Sequence, residues 1–325
     1  MTTLHPPEQS TGLDPAFRRL ALALLTGVLA VVFDTTIVNV ALDTLGRELH
    51  AGVSTIQWVT TGYLLALGMA VPITGWLVDR FGSKAVWMGA LTLFLAASIG
   101  ASLAAGAPML IAFRVLQGLG GGLMLPVLQT LLVQAAAGRP LGRVTALISL
   151  PVLLGPVLGP VVGGLIVQHL SWRWIFWVNV PFGVAGLILA WRLMPATPRN
   201  RTATLDVVGL ALLSPGVALV LFGLSRRDWW PAIAGAVITI LFVARAARRA
   251  DALVDVRLLR TPSFSAASAL MFLSGFALYG AMLLVPLYFQ QERGAGALAE
   301  AFWWAIGFTG LAMLIALWLP ARTPQ

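Results

Sequence analysis

The sequence predicts an all-α polytopic membrane protein with about ten transmembrane helices, and two observations lead there. Hydrophobic residues make up 59% of the chain and charged residues only 10%, with a mean hydropathy of +0.90, far from the balance of a soluble domain. The apolar residues also gather in runs of about 20, the length that carries a helix across a ~30 Å hydrocarbon core.

The runs fall at 20–42, 56–78, 85–105, 108–134, 144–168, 174–194, 205–224, 230–246, 264–289 and 300–320. Residues 1–19 read as a polar cytoplasmic tail ending in Arg18 and Arg19. No small-x-small cleavage site follows a short apolar core, so the first run is expected to be retained as a helix. With the N-terminus inside, 15 Arg and Lys residues fall on the cytoplasmic side, five outside, and one, Arg114, within a span. That bias supports this orientation, and an even number of spans is expected to return the C-terminus to the cytoplasm. The longest cytoplasmic connectors, 195–204 and 245–262, divide the chain into six spans, then two, then two. Trp172, Trp174, Trp177, Trp229 and Trp230 sit near span ends, where aromatic belts form.

Composition removes several function classes. The net charge of +9 comes from 21 basic residues, all Arg except Lys84. Most lie in short connectors, where they act as topology signals rather than as a nucleic-acid surface. With no cysteine and only His5, His50 and His169, disulfide scaffolds and Cys/His metal clusters are excluded. No GxxxxGK[ST] loop is present, which disfavours ATP-driven chemistry. No cofactor is implied, and no nucleophile–base pair assembles at depth, so the chain does not read as an enzyme.

Asp34 and Arg114 are the charged residues deep inside predicted spans, where charge is costly and by default functional. Asp34 lies 14 residues into a helix that starts inside, ~21 Å from the cytoplasmic boundary, and Arg114 six residues into one that starts outside, ~9 Å from the outer boundary. Across a ~30 Å core those are the same level. Desolvation favours the neutral form of a buried carboxylate and a nearby cation favours the charged form. A group balanced between the two can take a proton and release it when a cation arrives; the alternative is a fixed ion pair. Asn39, Thr35 and Thr36 are candidate hydrogen-bond partners for Asp34, or interhelical glue. Gln117 shares Arg114's face at i+3.

Two glycine-bearing segments complete the candidate set. Gly75, Asp79, Arg80, Gly82 and Lys84 mark a tight cytoplasmic turn, with Asp79 able to bond a helix N-terminus and Arg80 and Lys84 expected to face headgroups. Gly155, Gly159 and Gly163 form a small-xxx-small stripe, joined by Pro160 and Gly164, that suits close, bendable helix packing.

These segments together resemble the major facilitator superfamily, in its fourteen-helix drug:proton antiporter branch. FDTTIVNVAL is similar to the first-helix motif of that branch, placing its aspartate at Asp34 and its asparagine at Asn39. GWLVDRFGSK resembles the loop motif of conformational switching, RVLQGLGGG the fourth-helix motif whose arginine would be Arg114, and GPVLGPVVGG the antiporter motif of the fifth helix. SWRWIFWVNVPFG and LVDVRLLRTPSF look like connectors of the same branch. Asp43 stands where the first motif usually ends in proline, and Ala146 where the fifth-helix motif has glycine.

The resemblance implies a six-helix bundle over 20–194, two inserted helices over 195–262 and a partial C-terminal bundle of two helices over 263–325. The likeness runs from about 20 to 290, after which ALAEAFWWAIGFTGLAMLIALWLP resembles the family's last helix, as though about four helices had been lost. The implied function is multidrug efflux: a lipophilic or cationic compound leaves the cell in exchange for a proton. Asp34 would carry the proton, Arg114 would modulate it, and the glycine face would let the bundle rock. The implied partners are the lipid bilayer of the inner membrane, protons and a small lipophilic substrate. A non-transporting remnant, or a membrane binding or assembly protein, is the alternative that the shortened second bundle leaves open.

Overall fold

The computed structural model describes residues 15–136, 155, 158–197, 199–200, 202–249 and 252–290. The predicted tail up to residue 14, the start of the fifth span (144–154) and the tenth span (300–320) lie outside them. Among the described residues all regular structure is helical. Among these residues six helices are long and apolar enough to cross a membrane, or seven if a bent pair counts as one span.

Helix α1 runs Pro15–Glu48, starting five residues earlier than the sequence predicts. Pro15 opens it, a position where the missing N–H is no loss. The second predicted span is broken into α2, Val53–Ala70, and α3, Thr74–Phe81, bent by 55° at residues 71–73. Pro72 lies in that break, and a proline cannot donate to the helix ladder. Helices α4, Ser83–Ser102, and α5, Ala107–Ala136, form the next hairpin. The described part of the fifth span is α6, Leu158–His169. The sixth span divides at Val178 into a single turn α7, Trp174–Trp177, and α8, Asn179–Leu193. Helices α9, Val207–Arg226, and α10, Trp229–Ala246, are the inserted pair.

α5 is the centre of the bundle, packed closely on α2 and α4, while α1 packs chiefly on α8. The glycines of α5 permit this. A Cβ at Gly118 or Gly122 would strike the backbone carbonyls of Tyr63 or Leu67 on α2, and one at Gly120 would lie 2.7 Å from the Ala90 carbonyl on α4.

One compact unit extends to Arg245 and takes in α9 with the first six spans. α9 docks on α2: Ser214 donates to the Met69 carbonyl at 3.0 Å, and Trp58 stacks on Phe222 at 5.6 Å. Asp206 caps α9 by accepting from the Gly209 amide at 2.9 Å and holds Arg245 through two bonds of 2.7 and 2.8 Å. The second unit begins at Ala246. In it Asp255 caps a 3-10 turn, Val256–Arg260, that leads into α11, Pro262–Gln290.

Of the five belt tryptophans, Trp174, Trp177, Trp229 and Trp230 are exposed. Trp172 is not: it is buried edge-on against Phe176, under the Arg173 guanidinium.

Candidate functional site

Asp34 and Arg114 meet. An Arg114 Nη1 donates to Asp34 Oδ2, and the two side chains are 1% and 0% exposed. The equal depths calculated from the two helices correspond to a direct contact in space. Gln117 Nε2 donates to Asp34 Oδ1 at 2.9 Å and Gln117 Oε1 accepts from Arg114 at 3.0 Å, so one turn of α5 supplies both partners. Arg114 Nε also reaches the Val59 carbonyl at 3.1 Å, and its guanidinium lies 4.0 Å from the centre of the Tyr63 ring.

Two further residues belong to the site that the sequence reading did not single out. Asn179, the first residue of α8, donates its Nδ2 to Asp34 Oδ1 at 2.9 Å and to Ser98 Oγ at 3.1 Å. Ser98, on α4, also accepts from Gln117 at 3.3 Å and donates to the Phe176 carbonyl at 2.9 Å. Both are fully buried. The carboxylate of Asp34 therefore receives donors from α5 and α8 while α4 and α2 brace them. A buried charge persists only when it is paired and hydrogen-bonded in this way.

The cluster forms a polar layer between two apolar ones. On one side lie Leu24, Val28, Trp87, Leu91, Phe94 and Met124. On the other are Ile37, Leu45, Val59, Leu110, Ile175 and Phe176. Each helix crosses from one apolar layer to the other through its polar residue: Val31 to Ile37 brackets Asp34, and Leu95 to Ala101 brackets Ser98. Low local polarity on both sides strengthens every electrostatic contact within the layer.

The other first-helix candidates do not join it. Asn39 is exposed; it donates to the Thr35 carbonyl at 3.1 Å and accepts from Thr60 at 3.2 Å. Thr35 and Thr36 bond back to carbonyls of their own helix. At about 100° per residue, Asn39 stands about 140° around the helix from Asp34, on another face.

The cytoplasmic turn also differs from expectation. Lys84 does not face headgroups: its Nζ reaches the Trp191 and Met194 carbonyls at 2.8 and 2.7 Å, capping the end of α8. Asp79 is exposed, and its backbone carbonyl accepts from the Asn200 amide at 2.7 Å. Gly82 has φ +85°, and a Cβ there would lie 2.7 Å from Thr197 Oγ1. Gly75 and the partly buried Arg80 lie on α3. The turn is thus fastened to the segment that follows α8.

The stripe on the fifth span meets α1. Gly155, Gly159 and Gly163 are buried against Val32, Thr36 and Ile37, and a Cβ at Gly159 would collide with Thr36 Oγ1 and lie 2.7 Å from Thr36 Cβ. Pro160 is exposed, and a Cβ at Gly164 would meet nothing within 4 Å.

The helical bundle with a buried intramembrane ion pair defines a multi-pass membrane protein. A model of the Major Facilitator Superfamily matches residues 24–324, and the chain belongs to that family. It is 37% identical over 298 residues to the "Multidrug resistance protein B homolog" of Mycobacterium tuberculosis, covering 88% of this chain and 54% of that protein. It is 32% identical to the "Tetracenomycin C resistance and export protein" of Streptomyces glaucescens, over 84% of this chain and 53% of that one. The chain spans about half the length of these relatives. Among solved structures, a peptide transporter POT in complex with sulfate matches with TM-score 0.61 at 16% identity, over 98% of this chain and 72% of that one. A D-xylose-proton symporter matches with TM-score 0.53 at 17% identity, over 93% and 81%. These neighbours share the fold. The family and its neighbours are transporters rather than enzymes, embedded in the bilayer, and the relatives' bacterial hosts place the chain in a cell membrane.

Proposed function

We propose that this chain belongs to a proton-coupled exporter of lipophilic or cationic small molecules, with both termini cytoplasmic. The observation that carries the reading is the Asp34–Arg114 pair, enclosed between two apolar layers at membrane depth. The names of the relatives, which speak of multidrug resistance and of tetracenomycin C export, support the class of substrate.

In this reading Asp34 is the proton carrier. Protonation removes its negative charge and with it the Coulombic hold on Arg114, whose remaining partners are Gln117 Oε1, the Val59 carbonyl and the Tyr63 face. Arg114 and the carboxylate pair again once the proton has left. The turn at Gly75, Asp79, Arg80, Gly82 and Lys84 and the glycine face at 155–163 serve the conformational change, and Asn39 with Thr60 offers a polar spot on an exposed face. Proton-driven efflux of a cationic dye from vesicles tests this: Asp34→Asn is expected to abolish it, and undiminished efflux in that variant would sink the proton role.

A further inference from the structure

Asn179 carries an atom that the ion pair does not explain. Its Nδ2 serves Asp34 and Ser98, while its Oδ1 is buried without a hydrogen-bond partner among the described residues. An unsatisfied buried acceptor is costly, so a fixed role as donor to Asp34 is an incomplete use of the side chain. An amide differs from a hydroxyl or an ammonium in offering an acceptor and a donor that exchange places by a half-turn about one torsion.

We propose that Asn179 reads the protonation state of Asp34 by that half-turn, and so passes it to α4 and α8. This rests on Asp34 being the proton carrier. In the ionised state Nδ2 donates to Asp34 Oδ1, as the structure holds it. Asp34 Oδ1 accepts from both Gln117 Nε2 and Asn179 Nδ2; when a proton bonds to it, that oxygen becomes an O–H donor that needs an acceptor, and it can keep Gln117 as its one donor while Asn179 turns. The half-turn brings Asn179 Oδ1 to the place of Nδ2, about 2.9 Å from Asp34 Oδ1 and about 3.1 Å from Ser98 Oγ. The new O–H donates to it, while Nδ2 takes the unpartnered place that Oδ1 held, so the gain lies in the acceptor offered to the new O–H.

Ser98 feels the change. Its oxygen loses the Asn179 donor, and its hydroxyl, now given to the Phe176 carbonyl, faces a second acceptor in Asn179 Oδ1. Phe176 lies in α7, two residues before the break with α8. One proton on α1 thereby alters which bond ties α4 to the α7–α8 junction. The titratable groups around Asp34 among the described residues are Arg114 on α5 and Tyr63 on α2; α4 and α8 contribute Ser98 and Asn179, which do not titrate. Asn179 is a positioning residue here, acting through Asp34.

Infrared difference spectra of the purified protein in nanodiscs, recorded across a pH titration, test the proposal. Asparagine labelled with 13C at the side-chain carbonyl, in protein carrying Asn39→Gln and Asn200→Gln, isolates the Asn179 amide, because those three are the asparagines of the chain. The expected result is a carboxyl band that Asp34→Asn removes, together with an isotope-sensitive amide band that titrates with it. In Asn179→Leu the carboxyl band should move to higher frequency, because the O–H loses its acceptor. A D34N-sensitive carboxyl band without any titrating asparagine amide overturns the role of Asn179 and leaves the proton reading standing. Absence of a D34N-sensitive carboxyl band overturns the proton reading itself. The isotope experiment needs no substitution at Asn179, so it decides even if N179L does not fold.

Discussion

Lys84 closes the end of α8 from across the cytoplasmic turn, its ammonium 2.7 Å from the Met194 carbonyl. The last carbonyls of a helix have no intrahelical donor, and a cation there satisfies both the hydrogen-bonding and the dipole requirement. Hydrogen bonds to a charged group contribute about 1.5–3 kcal/mol, less here because Lys84 is part-exposed. Lys84→Ala is expected to lower the thermal midpoint in detergent and to raise hydrogen exchange at 191–197 selectively; uniform exchange along the chain would count against the cap.

The ion pair should behave as a unit. Removing one member of a buried pair costs about 3–5 kcal/mol because the other charge is left uncompensated. Asp34→Leu and Arg114→Met are each expected to destabilise on that order, whereas the two together recover most of the loss. A double variant no better than the sum of the singles, read by thermal unfolding, would mean the two are not coupled.

Gly159 and Gly164 belong to the same motif and should respond differently. A methyl at Gly159 runs into Thr36, while one at Gly164 meets open space. Overpacking costs about 1–3 kcal/mol. Gly159→Ala should therefore destabilise and Gly164→Ala should not, in the same unfolding assay.

A similar contrast exists in the cytoplasmic turn. Gly82 has φ +85° and abuts Thr197, whereas Gly75 is helical with nothing within 4 Å. Left-handed backbone costs a residue with a Cβ about 1–3 kcal/mol. Gly82→Ala should lower folded yield or thermal stability, and Gly75→Ala should leave both near wild type.

The helical class, most of the spans that fall on described residues and the pairing of Asp34 with Arg114 were legible because each depends on counting: run lengths for the spans, depth for the pair. Gln117 followed from its i+3 spacing. Asn39 misled because chemical type was weighed without its angle around the helix. Asn179 was hidden in a tryptophan-rich stretch that reads as an interfacial connector, and its signal was a lone amide opening the apolar run VNVPFG. Ser98 gave no such signal, since a single serine in an apolar helix can satisfy itself on its own backbone. Lys84 was assigned to headgroups because its acceptor carbonyls lie more than a hundred residues away, a distance no local pattern spans.

The pairing of Asp34 with Arg114 also governs how the site would respond to the membrane potential. An aspartate and an arginine moving together carry no net charge, so a reorientation of the empty site does no work against the transmembrane field. With a proton on Asp34 the same movement carries one positive charge, worth about 2.3 kcal/mol per 100 mV if it crosses the whole field. With Asp34 as the proposed proton carrier, voltage would then act on the proton-loaded form alone, and the arginine would make that step electrogenic.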